Sequence, residues 1–184
     1  MKITNLNKKF ENNIIFNNAS FEFPCGKVTY IMGKSGIGKT TLLRIIAGLD
    51  KNHTGYIDKI ERLAYVFQED RLFPSLTVKE NITIVNPSSN VDTKELLKIV
   101  ELNGCENMYP AELSGGMKTR VSIARAVFYD ADLVLMDEPF ASLDYDMKCR
   151  IAPQVFSKLS GKTIIVVSHD ISEAQAYANK IITI

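Results

Sequence analysis

The sequence predicts an α/β fold in which a parallel-sheet core carries an inserted helical block. Three observations point there. Leu133–Met136 and Thr163–Val167 are continuous apolar runs, as expected of central parallel strands covered on both faces. Val28–Met32 is a third apolar run that leads straight into a Gly-rich loop and then a helical pattern. From about Glu69 to Tyr129 the strand signals stop and helical spacing takes over.

The elements follow in order. Phe21-Glu22-Phe23 and Val28–Met32 flank Pro24-Cys25-Gly26-Lys27, and apolar runs around a Pro/Gly turn predict a hairpin. Thr41–Leu49 has apolar residues at helical spacing and Gly48 near its end. Arg62–Phe67 reads as a strand. Helices are predicted over Val78–Ile84, Asp92–Glu101 and Ser114–Phe128, with Asn86-Pro87-Ser88-Ser89-Asn90 as the loop between the first two. A further helix, Asp146–Leu159, lies between the two apolar runs near the end, completing strand–crossover–strand units.

The chain's 184 residues favour one domain with a subdomain inserted. Hydrophobic residues make up 46% and charged residues 23%, enough for a sizeable core. A formal net charge of +1 gives no basic balance for a nucleic-acid surface and no acidic tail. No apolar stretch is long enough to span a bilayer, and the start lacks the apolar segment of a signal peptide. A cytosolic protein is therefore expected, with any membrane link made through a partner. Cys25, Cys105 and Cys149 are widely spaced with no CxxC, which argues against zinc or a disulfide framework.

Gly33-Lys34-Ser35-Gly36-Ile37-Gly38-Lys39-Thr40 matches G-x-x-x-x-G-K-[ST]. Glycines let backbone N–H groups turn inward and approach phosphate oxygens. The following helix aims its positive end at the same anion. Lys39 is expected to reach the β- and γ-phosphates of ATP, and Thr40 to ligate Mg²⁺. A chance match in a Gly-rich turn is the bland alternative, but it leaves the strand before and the helix after unexplained.

Leu133–Met136 ends in Asp137-Glu138. Parallel strands bring such ends to one edge, where ligands bind. Asp137 is suited to hold Mg²⁺ through water, and Glu138 to polarise an attacking water, as general base or by positioning it. Taken alone the pair is an ordinary solvated turn; beside a phosphate loop it points to chemistry. His169 ends the next strand and would reach the same edge, there to hydrogen-bond the γ-phosphate and the water. His53 has no such setting and reads as a loop residue.

Leu113-Ser114-Gly115-Gly116-Met117 narrows the reading. Ser114 is a natural N-cap, and Gly115-Gly116 leave backbone N–H groups open, which makes a second anion site on one chain. Few ATPases combine this segment with a phosphate loop, Gln68, Asp137-Glu138, Ser142-Leu143-Asp144 and His169 in that order. Over nearly its whole length the chain resembles the ATPase of an ATP-binding-cassette (ABC) transporter.

That resemblance implies a P-loop NTPase (RecA-like) fold with an N-terminal antiparallel β subdomain and an inserted α-helical subdomain. It implies a single ABC ATPase domain over 1–184, with core 1–68 and 130–184 and a helical subdomain at about 69–129. Phe10 would stack on adenine, and Gly33 to Thr41, including Lys34, Ser35, Gly36, Ile37, Gly38, Lys39, Thr40 and Thr41, would cradle the phosphates. Gln68 would touch Mg²⁺ or the attacking water, with Thr40 and Asp137 as the other metal-side residues. Glu138 and His169 would be catalytic, with Gln68 and Lys39. Ser114, Gly115, Gly116 and Met117 would bind the nucleotide of the opposite subunit, and Asp144 would lie at the dimer interface.

Segments 67–78, 117–121 and 137–144 are similar to importers of nitrate, sulfonate, taurine and thiamine-precursor type, although those tend to have Trp where this chain has Ser75. The implied partners are a second copy in an ATP-sandwich homodimer, an integral membrane permease and a solute-binding protein, with no nucleic acid. The implied location is the inner face of the cell membrane, held through the permease. Leu72, Phe73 and Leu76 are candidates for the permease contact or, equally, for core of the helical block. Family members usually continue well past the switch histidine, so the end at Ile184 leads one to expect no regulatory C-terminal domain. Two other classes compete. A soluble cassette acting on DNA or ribosomes usually carries coiled-coil insertions or two cassettes. A P-loop kinase leaves Ser114 to Gly116 and His169 unexplained.

Overall fold

A computed structural model describes residues 1–11, 13–87 and 92–184. In chain order the first elements are β1 (Lys2–Phe10), β2 (Asn13–Glu22), β3 (Val28–Met32), α1 (Lys39–Ile46), β4 (Thr54–Ile57) and β5 (Leu63–Val66). Then come α2 (Val78–Thr83), α3 (Thr93–Ile99), α4 (Gly115–Tyr129), β6 (Leu133–Asp137), α5 (Tyr145–Lys158), β7 (Thr163–Val167), α6 (Ile171–Tyr177) and β8 (Lys180–Thr183). They group into two compact units: Met1–Tyr65 with Asp132–Asp137 and Gly161–Ile184, and Val66–Ala131 with Glu138–Ser160.

The first unit holds the sheets. One is three-stranded and antiparallel in the order β2-β1-β4; the other has five strands in the order β5-β6-β7-β3-β8. In the second sheet β6, β7, β3 and β8 pair in parallel. Strands β6 and β7 are buried at every residue, as their unbroken apolar runs require. Ile3, Leu6, Phe16 and Phe23 share one cluster with Ile31, Leu135, Ile165 and Val167 of the parallel sheet and Leu42, Leu43, Ile45 and Ile46 of α1. The core therefore sits directly under the strand that feeds the Gly-rich loop.

The expected hairpin does not form. β2 pairs with β1, whereas β3 lies between β7 and β8 in the other sheet. Thr29, Tyr30 and Ile31 are fully buried, so β3 needs a neighbour on each side, while half-exposed β2 suits an edge. The intervening turn carries the chain from sheet to sheet. Gly26 takes φ 67° there, and its N–H donates to Thr163 Oγ1 at 3.0 Å.

The second unit holds α2 to α5, with α4 packed against the other three. Thr77 and Glu80 form a reciprocal cap on α2, and Asp92, Ser114 and Asp144 cap α3, α4 and α5. Val121, Ile123, Ala124 and Phe128 are the buried stripe of α4, and Phe140 meets Phe156 edge-on at 6.1 Å. Of the loop expected over Asn86–Asn90, Ser88, Ser89 and Asn90 lie outside the described residues. Among the described residues no helix is long and apolar enough to cross a membrane.

Candidate functional site

Strand register brings together the candidates of the first unit. Ile31 of β3 lies beside Val167 of β7, and Val167 beside Asp137 of β6. Gly33 and His169 each follow two residues later, so Gly33, His169 and Asp137 reach one edge of the parallel sheet. At that edge the chain turns through the Gly-rich loop. Residues 34–37 form an exposed rim, while Gly38 and Lys39 are buried.

Two of the loop's glycines are required by contact. A Cβ on Gly38, at φ 116°, would stand 2.4 Å from Ile15 Cγ2 and 3.3 Å from Phe16 Cζ. One on Gly33 would stand 2.4 Å from the Ile184 carbonyl oxygen. The loop is thus clamped between β2 and Ile184. It opens α1, whose N-cap Gly38 brings no side chain to the helix end. Those first N–H groups are the donors an anion can use.

Lys39 Nζ donates to the carbonyls of Gly33 at 2.8 Å and Lys34 at 3.0 Å, which holds the ammonium over the loop. Thr40 Oγ1 donates to Asp137 Oδ1 at 3.1 Å. A hydroxyl and a buried carboxylate in contact are an all-oxygen donor pair of the kind that suits Mg²⁺. Thr41 continues α1 half-buried. His169 is exposed between Ser168, which is 2% exposed, and Asp170, the N-cap of α6. Asp170 accepts from Glu173 N–H at 3.1 Å, and Glu173 accepts from Tyr30 OH at 3.0 Å. Burial first, and then the Glu173 carboxylate, push the Tyr30 phenol far up, so it stays a neutral donor.

Phe10 ends β1 opposite Asn13, and two residues earlier Lys8 lies opposite Phe16, whose ring bears on Gly38. Phe10 is therefore carried on the same sheet end that clamps the phosphate loop, and it is 49% exposed.

The second unit holds the other candidates. Ser114 Oγ accepts from Met117 N–H at 3.3 Å and leaves its own O–H to donate. Gly115 is exposed, and a Cβ there would meet nothing within 4 Å; one on Gly116 would come 3.3 Å from the Ser142 carbonyl. Thr119 donates to the Gly115 carbonyl at 3.2 Å and takes a 3.1 Å hydrogen bond from Ser142. The glycine pair and the Ser142-Leu143-Asp144 turn are thereby tied together. Asp144 caps α5 through Met147 N–H at 2.8 Å, so it has a local structural job whatever else it does. Gln68 is exposed just past β5. Glu138 takes φ 51°, a left-handed conformation that a non-glycine residue adopts at a cost.

Residues 16–141 match the ABC transporter family. The chain belongs to that family. An aliphatic sulfonates import ATP-binding protein, SsuB of Bacillus cereus, is 40% identical over 91% of this chain and 72% of that protein. The dimeric structure of MJ0796, a bacterial ABC transporter cassette, superposes with TM-score 0.86 at 31% identity, over 100% of this chain and 93% of that one. A post-hydrolysis state of the same cassette, bound to ADP and Pi, gives TM-score 0.85 at 31% identity and the same coverage. This ABC cassette is an ATP-binding and ATP-hydrolysing transporter subunit.

Sequence reasoning missed three residues that shape these loops. Asn81, fully buried on α2, accepts from Phe73 N–H at 2.8 Å and donates to the carbonyls of Phe73, Leu76 and Thr77 at 3.1, 2.9 and 3.0 Å. It fixes the segment that carries Phe73, which is itself 49% exposed. Arg120 donates to the carbonyls of Gly116, Val100 and Glu101, bracing the start of α4. Its only sequence signal was a charged residue where the helix needs an apolar one. Lys8 is the third.

Proposed function

We propose that two copies of this cassette bind two ATP and close head to tail, and that the cycle drives solute import through a membrane permease. The observation that carries the proposal is the second anion site. Ser114 to Gly116 offer a hydroxyl and open backbone N–H groups, while the chain already owns a phosphate loop with its own lysine. Closing on a twin uses both sites at once. The dimeric cassette of similar fold and the import role of the sulfonate relative support the reading.

In each closed site Lys39, Gln68 and His169 hold the γ-phosphate from one side, and Ser114, Gly115 and Gly116 of the other copy, in the signature that Met117 completes, hold it from the opposite side. Phe10 stacks on the base. Glu138 polarises the attacking water. Thr40, Asp137 and Gln68 would hold Mg²⁺, which when bound offsets charge on the β- and γ-phosphate oxygens. These donors are aimed where negative charge develops in the transition state. Loss of the γ-phosphate removes the bridge and the dimer opens. Asp144 lies at the interface. The chain acts as one domain, with core 1–68 and 130–184 and a helical subdomain at about 69–129. The segment Gln68 to Leu76 receives a short permease helix, which holds the subunit on the cytoplasmic face; a solute-binding protein delivers the cargo.

Mixing two dead variants tests the shared site. Lys39→Ala and Ser114→Arg each destroy one half. In a mixed dimer one site pairs both defects, and the other pairs an intact phosphate loop with an intact signature. Regained phosphate release on mixing is expected; no regain at any ratio would place both halves around one nucleotide within a single chain.

A further inference from the structure

Lys8 is 3% exposed although it lies two residues from the exposed end of β1. Its ammonium pairs with Asp50 at 2.7 Å, donates to the Asn52 carbonyl at 2.9 Å, and stands 4.3 Å from the centroid of the Phe10 ring. The bond from Lys8 holds the Asp50 carboxyl below its ordinary range, which favours its carboxylate form. Asp50 and Asn52 together take the donors of the ammonium. That anchors the charge over the ring and keeps it from reaching a phosphate. Phe10 nevertheless keeps half its surface in solvent.

We propose that the Lys8–Asp50 pair is a positioning device for the nucleobase: its ammonium fixes one face of Phe10 and polarises it, and the opposite face receives the purine of ATP. The inference rests on the reading of Phe10 as the base-stacking residue. A phenylalanine at a strand end can turn about two side-chain torsions, and a cation held over one face removes that freedom. The same cation draws electron density from the far face, which favours stacking with an electron-rich purine over a pyrimidine. The location fits, because Lys8 lies opposite Phe16, whose ring packs on Gly38 of the phosphate loop.

The test compares affinities for ATP, CTP and inorganic tripolyphosphate in the full chain, by competition with a fluorescent ATP analogue. Lys8→Met should weaken ATP about three- to tenfold, weaken CTP less, and leave tripolyphosphate unchanged. Lys8→Arg, which keeps a cation, should restore most of the ATP affinity. In a Phe10→Ala background Lys8→Met should have no further effect. If Lys8→Met does not fold, Lys8→Met with Asp50→Asn removes both charges at nearly constant volume and should show the same ATP-selective loss. Equal weakening of ATP and tripolyphosphate, or the same loss with and without Phe10, would overturn the proposal. If Phe10→Ala lowers the ATP-to-tripolyphosphate ratio and the Lys8 variants do not, only the positioning role fails. If Phe10→Ala leaves that ratio unchanged, the stacking reading fails and takes the positioning role with it.

Discussion

The two loops proposed to bind anions, one in each unit, are built on opposite principles. The phosphate loop of the first unit is clamped. Gly38 is wedged against Ile15 and Phe16, Gly33 against the Ile184 carbonyl, and Lys39 bonds two carbonyls of its own loop. The signature loop of the second unit is open. Ser114 and Gly115 are exposed, a Cβ on Gly115 would meet nothing within 4 Å, and the nearby Arg120 is committed to the carbonyls of Gly116, Val100 and Glu101. The first loop is shaped by contacts inside its own unit. The second is left open to solvent, as the proposed shared site requires. On the proposed reading, a chain with one finished and one unfinished phosphate grip takes a second chain to complete the chemistry.

Four substitutions break or sharpen this contrast. Lys39→Ala removes the cation of the finished loop and should abolish ATP turnover, measured as phosphate release. Glu138→Gln should retain ATP binding and lower turnover by about 10²–10⁴-fold, the range for a lost general base; turnover equal to wild type would remove Glu138 from its role. Gly38→Ala places a methyl group in a left-handed, filled position and should cost about 1–3 kcal/mol of stability before any ligand is added, read by thermal or urea unfolding. Gly115→Ala should show the reverse pattern. Its methyl group meets open space, so unfolding stability should stay within about 0.5 kcal/mol of wild type, while ATP-driven association weakens. A Gly115→Ala chain that lost stability, or a Gly38→Ala chain that did not, would erase the distinction between the loops.

What could be read from sequence divides along the same line. The phosphate loop, Asp137-Glu138 and the Ser114 segment were legible because each places its chemistry within a few consecutive residues, and strand ends on a parallel sheet meet by rule. Lys8 was not, since its partner Asp50 is 42 residues away and a lysine on a strand reads as solvated. Asn81 and Arg120 likewise act on carbonyls that only the folded chain brings near. The hairpin expected at residues 21–32 failed for a related reason. Turn chemistry was local and correct, but sheet membership is decided by which strands need covering, and β3 needed β7 and β8. β1 escaped notice because register shifts along its pairing with β2, and a positive φ of 54° at Asn5, break the alternation that marks a strand.

The shared site is tested most directly by the mass of the Glu138→Gln chain in solution with Mg·ATP. The account predicts a shift from 20.6 kDa to twice that value with ATP, no shift with ADP, and none when Ser114→Arg is added to the same chain. A Glu138→Gln chain saturated with Mg·ATP that remained a monomer would contradict it.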